Sequence, residues 1–430
     1  MSWLDDYANT ASAFVDAPTQ FQKVAAYWAL GGALGKRVAF QFGMVPVYPN
    51  LYTVFVGKSG FIKKSITKNF ALDVLGAALP DLDLPGRGSP EAFRDALEER
   101  DWYGVLHYDE FFEYLVKGRK DYTADLDTTL MELFAYGRKT PIRTKTSGEI
   151  KIPPNAIISM VAPTTMDLLL RGIRKDDLMS GKMARFMFVA ADQDIEYPVP
   201  PPMPHTTIPY LGTKLRALIP AGANASQPAQ VMETPAARKT LEDYYYAIRA
   251  RVKSATSPLF EGSFSRAQMY AIKLAMIHCI ANGRMTLEPG DYDAIQPLIS
   301  NWADCLDEII KKVDVEDRFH ELILRAEAFL KAHPTTTQRD IQRHMRLRKY
   351  EMSDVIEHLK ISGLIDIAMS TDAAASQIVY KGKADPAGQP SPDEIREREI
   401  EMAEECGPDP SGTTVTTPVT GPITVMKPKK

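Results

Sequence analysis

The stretch Leu51-Tyr52-Thr53-Val54-Phe55-Val56-Gly57-Lys58-Ser59-Gly60-Phe61-Ile62-Lys63-Lys64-Ser65 decides how this chain is read. Six apolar or β-branched residues predict a buried strand, Gly57 and Gly60 predict a turn, and a helix is expected from Lys64 onward. Such a turn aims backbone N–H groups and the positive end of a helix at a phosphate. A lysine then reaches the β- and γ-phosphates, and a hydroxyl ligates Mg²⁺. The usual pattern puts glycine directly before the Lys-Ser pair. Here Ile62-Lys63-Lys64-Ser65 stands instead, one residue further from Gly57. We assign Lys64 the phosphate role and Ser65 the Mg²⁺ role, with Gly57, Ser59, Gly60 and Lys63 as further phosphate contacts. Lys63 in the lysine slot is the alternative, and an ordinary strand-turn-helix with exposed lysines is the bland one.

Downstream, Gly104-Val105-Leu106-His107-Tyr108-Asp109-Glu110 is an apolar strand ending in two carboxylates. It is expected to lie next to the first strand, so that Asp109 reaches Mg²⁺ through water and Glu110 polarises an attacking water. A helix cap at Asp109 is the competing explanation. Together the two motifs predict an ATP-hydrolysing P-loop core.

Strand-like segments at Tyr103–Tyr108, Ala156–Val161 and Phe186–Ala190 alternate with helical patterns, one of them Phe111–Tyr136, which implies a largely parallel sheet covered on both faces. Residues 1–47 read as a helical lead-in, 48–195 as the ATPase core and 196–209 as a Pro-rich linker. A helical domain over 210–333, a compact unit over 334–383 and a disordered tail over 384–430 complete the expected organisation.

Composition narrows the classes. The 430 residues carry a formal net charge of −4, so any nucleic-acid contact must come from local patches. The 3 cysteines are far apart and lack metal-ligand spacing, as expected of reduced thiols. No signal peptide or membrane span is visible, and a soluble cytoplasmic protein is expected.

The segment from Gly137 to Ile152 reads as a β-hairpin around Ser147-Gly148 carrying Arg138, Lys139, Arg143, Lys145 and Lys151. In a ring motor it would face the channel and grip phosphates of a DNA strand; a solvated hairpin explains the charges equally well. Thr164 or Thr165, at a strand end, is a candidate γ-phosphate sensor, though turn or cap chemistry accounts for both. Arg185, just before a buried strand, is a candidate arginine finger supplied to a neighbouring subunit, or a surface ion-pair arginine. Arg266 is a weaker candidate for a second sensor.

With these motifs on the page, the chain resembles a large family of phage, plasmid and island-encoded replication ATPases, associated with helicases or primases. The shared features run from about residue 5 to about residue 315. They include Tyr48-Pro49-Asn50-Leu51-Tyr52, the Gly-x-Ser-Gly-x-x-Lys-Lys-Ser loop, the Asp109-Glu110 strand end, Arg143-Thr144, Thr164-Thr165 and Arg185-Phe186. The resemblance implies a P-loop core of RecA-like or AAA+ type and a replication context, in the host cytoplasm if a phage encodes the chain. Its Lys-Lys-Ser doublet supports Lys64 and Ser65. No primase signature is present.

Pro334–Met345 reads as a capped helix and Ser353–Ser362 as a second, followed by a two-stranded wing at Leu364–Ile367 and Gln377–Tyr380. That order predicts a winged helix for DNA or protein docking. The leading expectation is a DNA helicase that forms a homo-oligomeric ring, a hexamer, using ATP and Mg²⁺, on single- or double-stranded DNA and with other replication proteins. The rivals are an ATP-switched origin-binding or helicase-loading protein and a non-replicative ATPase of a mobile element.

Overall fold

The computed structural model describes residues 2–58, 62–86, 89–117, 124–140, 142–144, 148–191, 200–255, 257, 259–345, 347, 349–369 and 376–381. Met1–Arg318 and Phe319–Lys430 form two compact units. In the first, the chain runs α1 (Trp3–Phe14), α2 (Thr19–Leu34), β1 (Val38–Phe42), β2 (Val45–Val47), β3 (Tyr52–Val56), α3 (Lys64–Ala78), α4 (Pro90–Glu99) and β4 (Tyr103–His107). It continues through α5 (Phe111–Lys117), α6 (Ala124–Glu132), β5 (Ile142–Thr144), β6 (Gly148–Ile150), β7 (Ile157–Thr164), α7 (Met166–Gly172), α8 (Lys175–Met179) and β8 (Met187–Ala190). Then follow α9 (Thr207–Ala217), β9 (Ala229–Glu233), α10 (Pro235–Ser254), α11 (Leu259–Phe264), α12 (Ala267–Ala281), β10 (Thr286–Leu287) and the part of α13 (Pro289–Ala332) up to Arg318.

The central sheet has the order β4-β7-β3-β8, every pairing parallel. Parallel strands need crossovers that cover the sheet, and this burial explains why β3 and β7 are apolar without alternation. One sequence expectation is corrected here. The Tyr103–His107 strand does not lie next to β3, because β7 pairs with both and separates them. Beyond β4, Leu84 N–H donates to the Val105 carbonyl and Val105 N–H to the Leu82 carbonyl, a one-bridge extension of the sheet.

The lead-in helices belong to the same hydrophobic core as the sheet. The Trp28 indole donates to the Met160 carbonyl of β7 at 2.9 Å, and the Trp3 indole to the Leu211 carbonyl of α9 at 3.2 Å. Helix α2 stops at Gly35, where φ is +46° and a Cβ would lie 2.1 Å from the Tyr103 ring. Only glycine meets both demands.

A second sheet, β10-β9-β1-β2, was missed by the sequence reading. It pairs β1 in parallel with β9, some 190 residues later, so residues read as helical lead-in and helical domain share one sheet. Its strands are short and its neighbours strongly helical, which is why local pattern did not reveal it. Among the described residues of Phe111–Tyr136, read as helical throughout, α5 and α6 are helical and the chain leaves the helix after Glu132. The predicted pairing across Ser147-Gly148 forms, with Arg143 opposite Glu149.

In the second unit, the end of α13 leads into β11 (Thr335–Thr337), α14 (Gln338–Met345), α15 (Lys349–Ile361), β12 (Ile365–Met369) and β13 (Ser376–Tyr380). Its own core includes Leu330, Ile341, Met352, Val355, Leu359 and Ile378. The sheet has three strands where two were expected, since Thr335–Thr337 pairs with β13 before α14 begins. Three β-branched residues favour that extended start. Thr337 then caps α14, accepting from Asp340 N–H at 3.2 Å and donating to its carboxylate at 2.6 Å.

At the amino end of the central sheet, Asn50 is fully buried and ties three elements together. Its amide donates to the carbonyls of Phe134 (3.0 Å) and Ile158 (2.7 Å), and its side-chain oxygen accepts from Lys273 of α12 (2.6 Å). Asn50→Ala takes its amide donor from the Ile158 carbonyl, leaves the Phe134 carbonyl to Lys273 alone and weakens the support of a buried ammonium. We expect a loss of roughly 2–4 kcal/mol in urea unfolding; a loss within experimental error would show that these bonds do not hold the fold.

Candidate functional site

From β3 the chain passes through α3 and α4 to β4, on the far side of β7. From β7 it returns past β3 to β8. Adjacent strands whose connections diverge leave a crevice beyond their carboxyl ends. Here it opens where Val56 registers with Thr164 and Gly57 N–H donates to the Thr164 carbonyl at 3.2 Å. Gly57 is closely packed: a Cβ there would meet Ile62 at 3.2 Å and the Ala191 carbonyl at 3.4 Å. Ser59 and Gly60 lie outside the described residues.

Helix α3 begins at Lys64 with Lys63 as N-cap and no side-chain hydrogen bond capping the turn. Backbone donors at such an end are free of intrahelical acceptors. The Lys64 side chain folds back over the loop, donating to the carbonyls of Gly57 (2.7 Å) and Lys58 (2.8 Å). Burial lowers its pKa, and the nearby Glu110 carboxylate opposes that shift. Lys63 is half-buried and Ser65 is exposed in the first turn. The first turn of α3 holds no acid, and lysines stand at 63, 64 and 68. Cations at this end of a helix oppose its dipole by on the order of 0.3–1 kcal/mol each, so the arrangement suits an anion rather than the isolated helix.

Asp109 and Glu110 come just after β4 and Tyr108, whose N–H donates to the Val161 carbonyl of β7 at 3.1 Å. The Asp109 carboxylate accepts from Lys68 of α3 at 2.7 Å. Lys68 is the functional candidate that the sequence reading missed. Its signal was the i, i+4 spacing from Lys64, which puts both on one helix face and aims both side chains toward the helix start. Glu110 is half-buried and its Oε1 accepts from Phe112 N–H at 3.4 Å.

The donors offered to a metal are hard oxygens, the Asp109 carboxylate and the Ser65 hydroxyl. They fit Mg²⁺, which keeps waters and phosphate oxygens and needs only one or two protein ligands. Among the described residues no cluster of three or more His, Cys, Asp or Glu forms a closed metal site.

The two threonines divide. The Thr165 hydroxyl caps α7, accepting from Leu168 N–H at 3.2 Å. Thr164 is buried beside Gly57, its hydroxyl donating to the Thr165 carbonyl at 3.3 Å. Thr164 is therefore the member of the pair that borders the crevice.

Arg185 lies at the opposite, amino end of the sheet, just before β8. It donates from Nε to the Met131 carbonyl (2.9 Å) and from Nη1 to the Gly181 carbonyl (2.8 Å), and burial lowers its pKa. Arg266 stacks over the Phe134 ring at 5.6 Å, and its pKa is lowered by burial and then by Arg185. Neither arginine joins Lys64, Asp109 and Glu110 within this chain.

Of the residues expected to touch DNA, Arg138 and Lys151 are exposed. Arg143 stands on β5, and Lys145 lies outside the described residues. Lys139 requires correction: it is 5% exposed, and its ammonium is held by the carbonyls of Glu132 and Ala135. The carboxyl end of α6 has orphan carbonyls and a negative dipole, so a lysine four residues past Ala135 is drawn inward.

Burial pushes the Lys139 ammonium down to about 8, partly opposed by Glu132. The unfolded value near 10.5 is higher, so between these pH values the unfolded chain binds more protons than the folded one. The contribution of Lys139 to stability therefore rises as pH goes from 8 to 10.5. Urea midpoints across that range should climb more steeply in the native chain than in Lys139→Met; parallel curves would place the ammonium in solvent.

No helix among the described residues is long and apolar enough to cross a membrane. No protein-family model matches the chain, and no curated protein matches it. Among solved structures it is similar to a full-length MCM homologue from Methanopyrus kandleri, at 16% sequence identity and a TM-score of 0.40. The similarity covers 70% of this chain and 59% of that one, a likeness too slight to assign a family.

Proposed function

We propose that this chain is an ATP-hydrolysing protein of DNA replication that assembles as a homo-oligomeric ring, a hexamer, and translocates on or unwinds DNA. The observation that carries the reading is the Lys64 ammonium folded onto the Gly57 and Lys58 carbonyls, with the Glu110 carboxylate close enough to act on it. A phosphate oxygen is a stronger acceptor than a neutral carbonyl. Lys64 can therefore turn from the loop to the β- and γ-phosphates with little movement of the helix. Ser65 and Asp109 would hold Mg²⁺, which supplies charge neutralisation on the phosphates. Glu110 orients the attacking water, and Thr164 borders the γ-phosphate position.

Arg185 is proposed to act across a subunit interface. Its two internal hydrogen bonds hold the guanidinium at the amino end of the sheet, where in this reading a neighbouring subunit's nucleotide would meet it. Arg138, Arg143, Lys145 and Lys151 are the proposed DNA contacts. The second unit, with its strand, two helices and antiparallel hairpin, is read as a winged helix.

The purified chain should form larger assemblies on adding ATP and Mg²⁺ and hydrolyse ATP faster with single-stranded DNA. Lys64→Ala should cut turnover by at least about a hundredfold; full activity in that variant would overturn the assignment of the loop. Hydrolysis without strand displacement would favour the loading-switch reading. Arg185→Ala should keep nucleotide affinity and lose turnover, and addition of a Lys64→Ala partner with intact Arg185 should restore part of it. Failure of such mixing would remove the trans role.

A further inference from the structure

Lys68 has no part in the reaction just described, yet it is the most buried charge near the site. It is 1% exposed and donates to the Asp109 carboxylate at 2.7 Å and to the Tyr108 carbonyl at 3.4 Å. Packing alone does not explain it, because a hydrophobic residue of similar volume commonly serves a buried position as well or better. Its partner is very different. The Asp109 side chain is 74% exposed, against 2% for Lys68. The ion pair thus has a dry cationic end anchored in α3 and a wet anionic end at the mouth of the crevice.

We propose that Lys68 is a positioning residue that holds the Asp109 carboxylate in place and competes with a divalent cation for it, so that metal loads with the nucleotide and not before. The inference rests on the nucleotide reading above. Two features of this chain make the competition work. Lys68 reaches Asp109 from one helical turn beyond Lys64, so the two ammoniums point to the same crevice from one face. The pair is also close to neutral before a ligand arrives, which removes the excess negative charge that would attract a bare cation. A triphosphate supplies oxygen ligands and negative charge together, enough to recruit the metal despite Lys68.

The test is a Mn²⁺ titration of the full chain by electron paramagnetic resonance, with Mn²⁺ alone and with a non-hydrolysable ATP analogue. Without nucleotide, Lys68→Met should bind Mn²⁺ about thirtyfold more tightly than the native chain, the effect of removing one unit charge about 4 Å from a divalent ion in a water-like dielectric. Lys68→Arg should keep native affinity, and Asp109→Asn should abolish the gain in a Lys68→Met background. Unchanged or weaker Mn²⁺ binding in Lys68→Met, or an Arg variant that behaves like Met, overturns the proposal. Should Lys68→Met fail to give a native circular dichroism spectrum, Lys68→Gln is read by the same criteria. A native chain that ignores the ATP analogue sinks the nucleotide reading instead, while the Mn²⁺-only arm still decides the competition for Asp109.

Discussion

The carbonyls at the carboxyl end of α6 and in the turn that follows it tie together several elements of the first unit. Tyr52 donates its hydroxyl to Leu130, Arg185 reaches Met131, Lys139 takes Glu132 and Ala135, and Asn50 and Lys273 share Phe134. A helix leaves its last carbonyls unpaired, and here donors from β3, α12 and the approach to β8 satisfy them in the interior. Burial lowers the Lys273 ammonium well below the usual lysine range, with Arg266 and Lys139 acting in the same direction. Such a group is tolerable because it sits on three oxygens, the Asn50 carbonyl and side chain and the Phe134 carbonyl. The amino end of the sheet is closed by this network.

Helix polarity explains why cations at the two ends of the sheet behave so differently. At α6, Lys139 meets a negative helix end and neutral oxygens, and the result is structural. At α3, lysines crowd a positive helix end, where the dipole opposes them. Their compensation comes from outside the helix: loop carbonyls for Lys64 and the Asp109 carboxylate for Lys68. A phosphate-bearing ligand would complete that compensation. The same residue types are therefore cement at one end and candidate chemistry at the other.

The first strand and loop were legible because their signals are local. Apolar residues 51–56, Gly57 and the Lys63-Lys64 doublet state strand, turn and helix start in sequence order, and β3 and α3 follow within a residue or two. The acid pair was legible for the same reason. The position of its strand was not, because pairing order depends on which crossover passes over which strand, and residues 103–110 are silent on that. The β1–β9 pairing was hidden by its sequence separation. Lys139 was misread for a related reason: beside Arg138 and before the hairpin it looks like surface charge, and only the three-dimensional position of the α6 carbonyls turns it inward. Lys68 was passed over because a single lysine in a helix is ordinary until its face is known to be buried.

The place of β7 between β3 and β4 sharpens the chemistry of the crevice. Direct pairing of β3 with β4 would bring the loop and Asp109 to neighbouring strand ends, about 4.8 Å apart across the ladder. With β7 between them the strand ends stand about twice as far apart, the gap in which the proposed phosphates and hydrated metal would lie. It also assigns the intervening position to Thr164, the end residue of β7, whose backbone is already hydrogen-bonded to Gly57. A wider gap has to be held at a fixed width, and β7 does so through continuous registers on both sides, Tyr52 to Val56 with one neighbour and Tyr103 to His107 with the other. The Lys68–Asp109 pair spans the same gap from α3. The sheet thus sets the distance, and the buried lysine sets where within it the carboxylate stands.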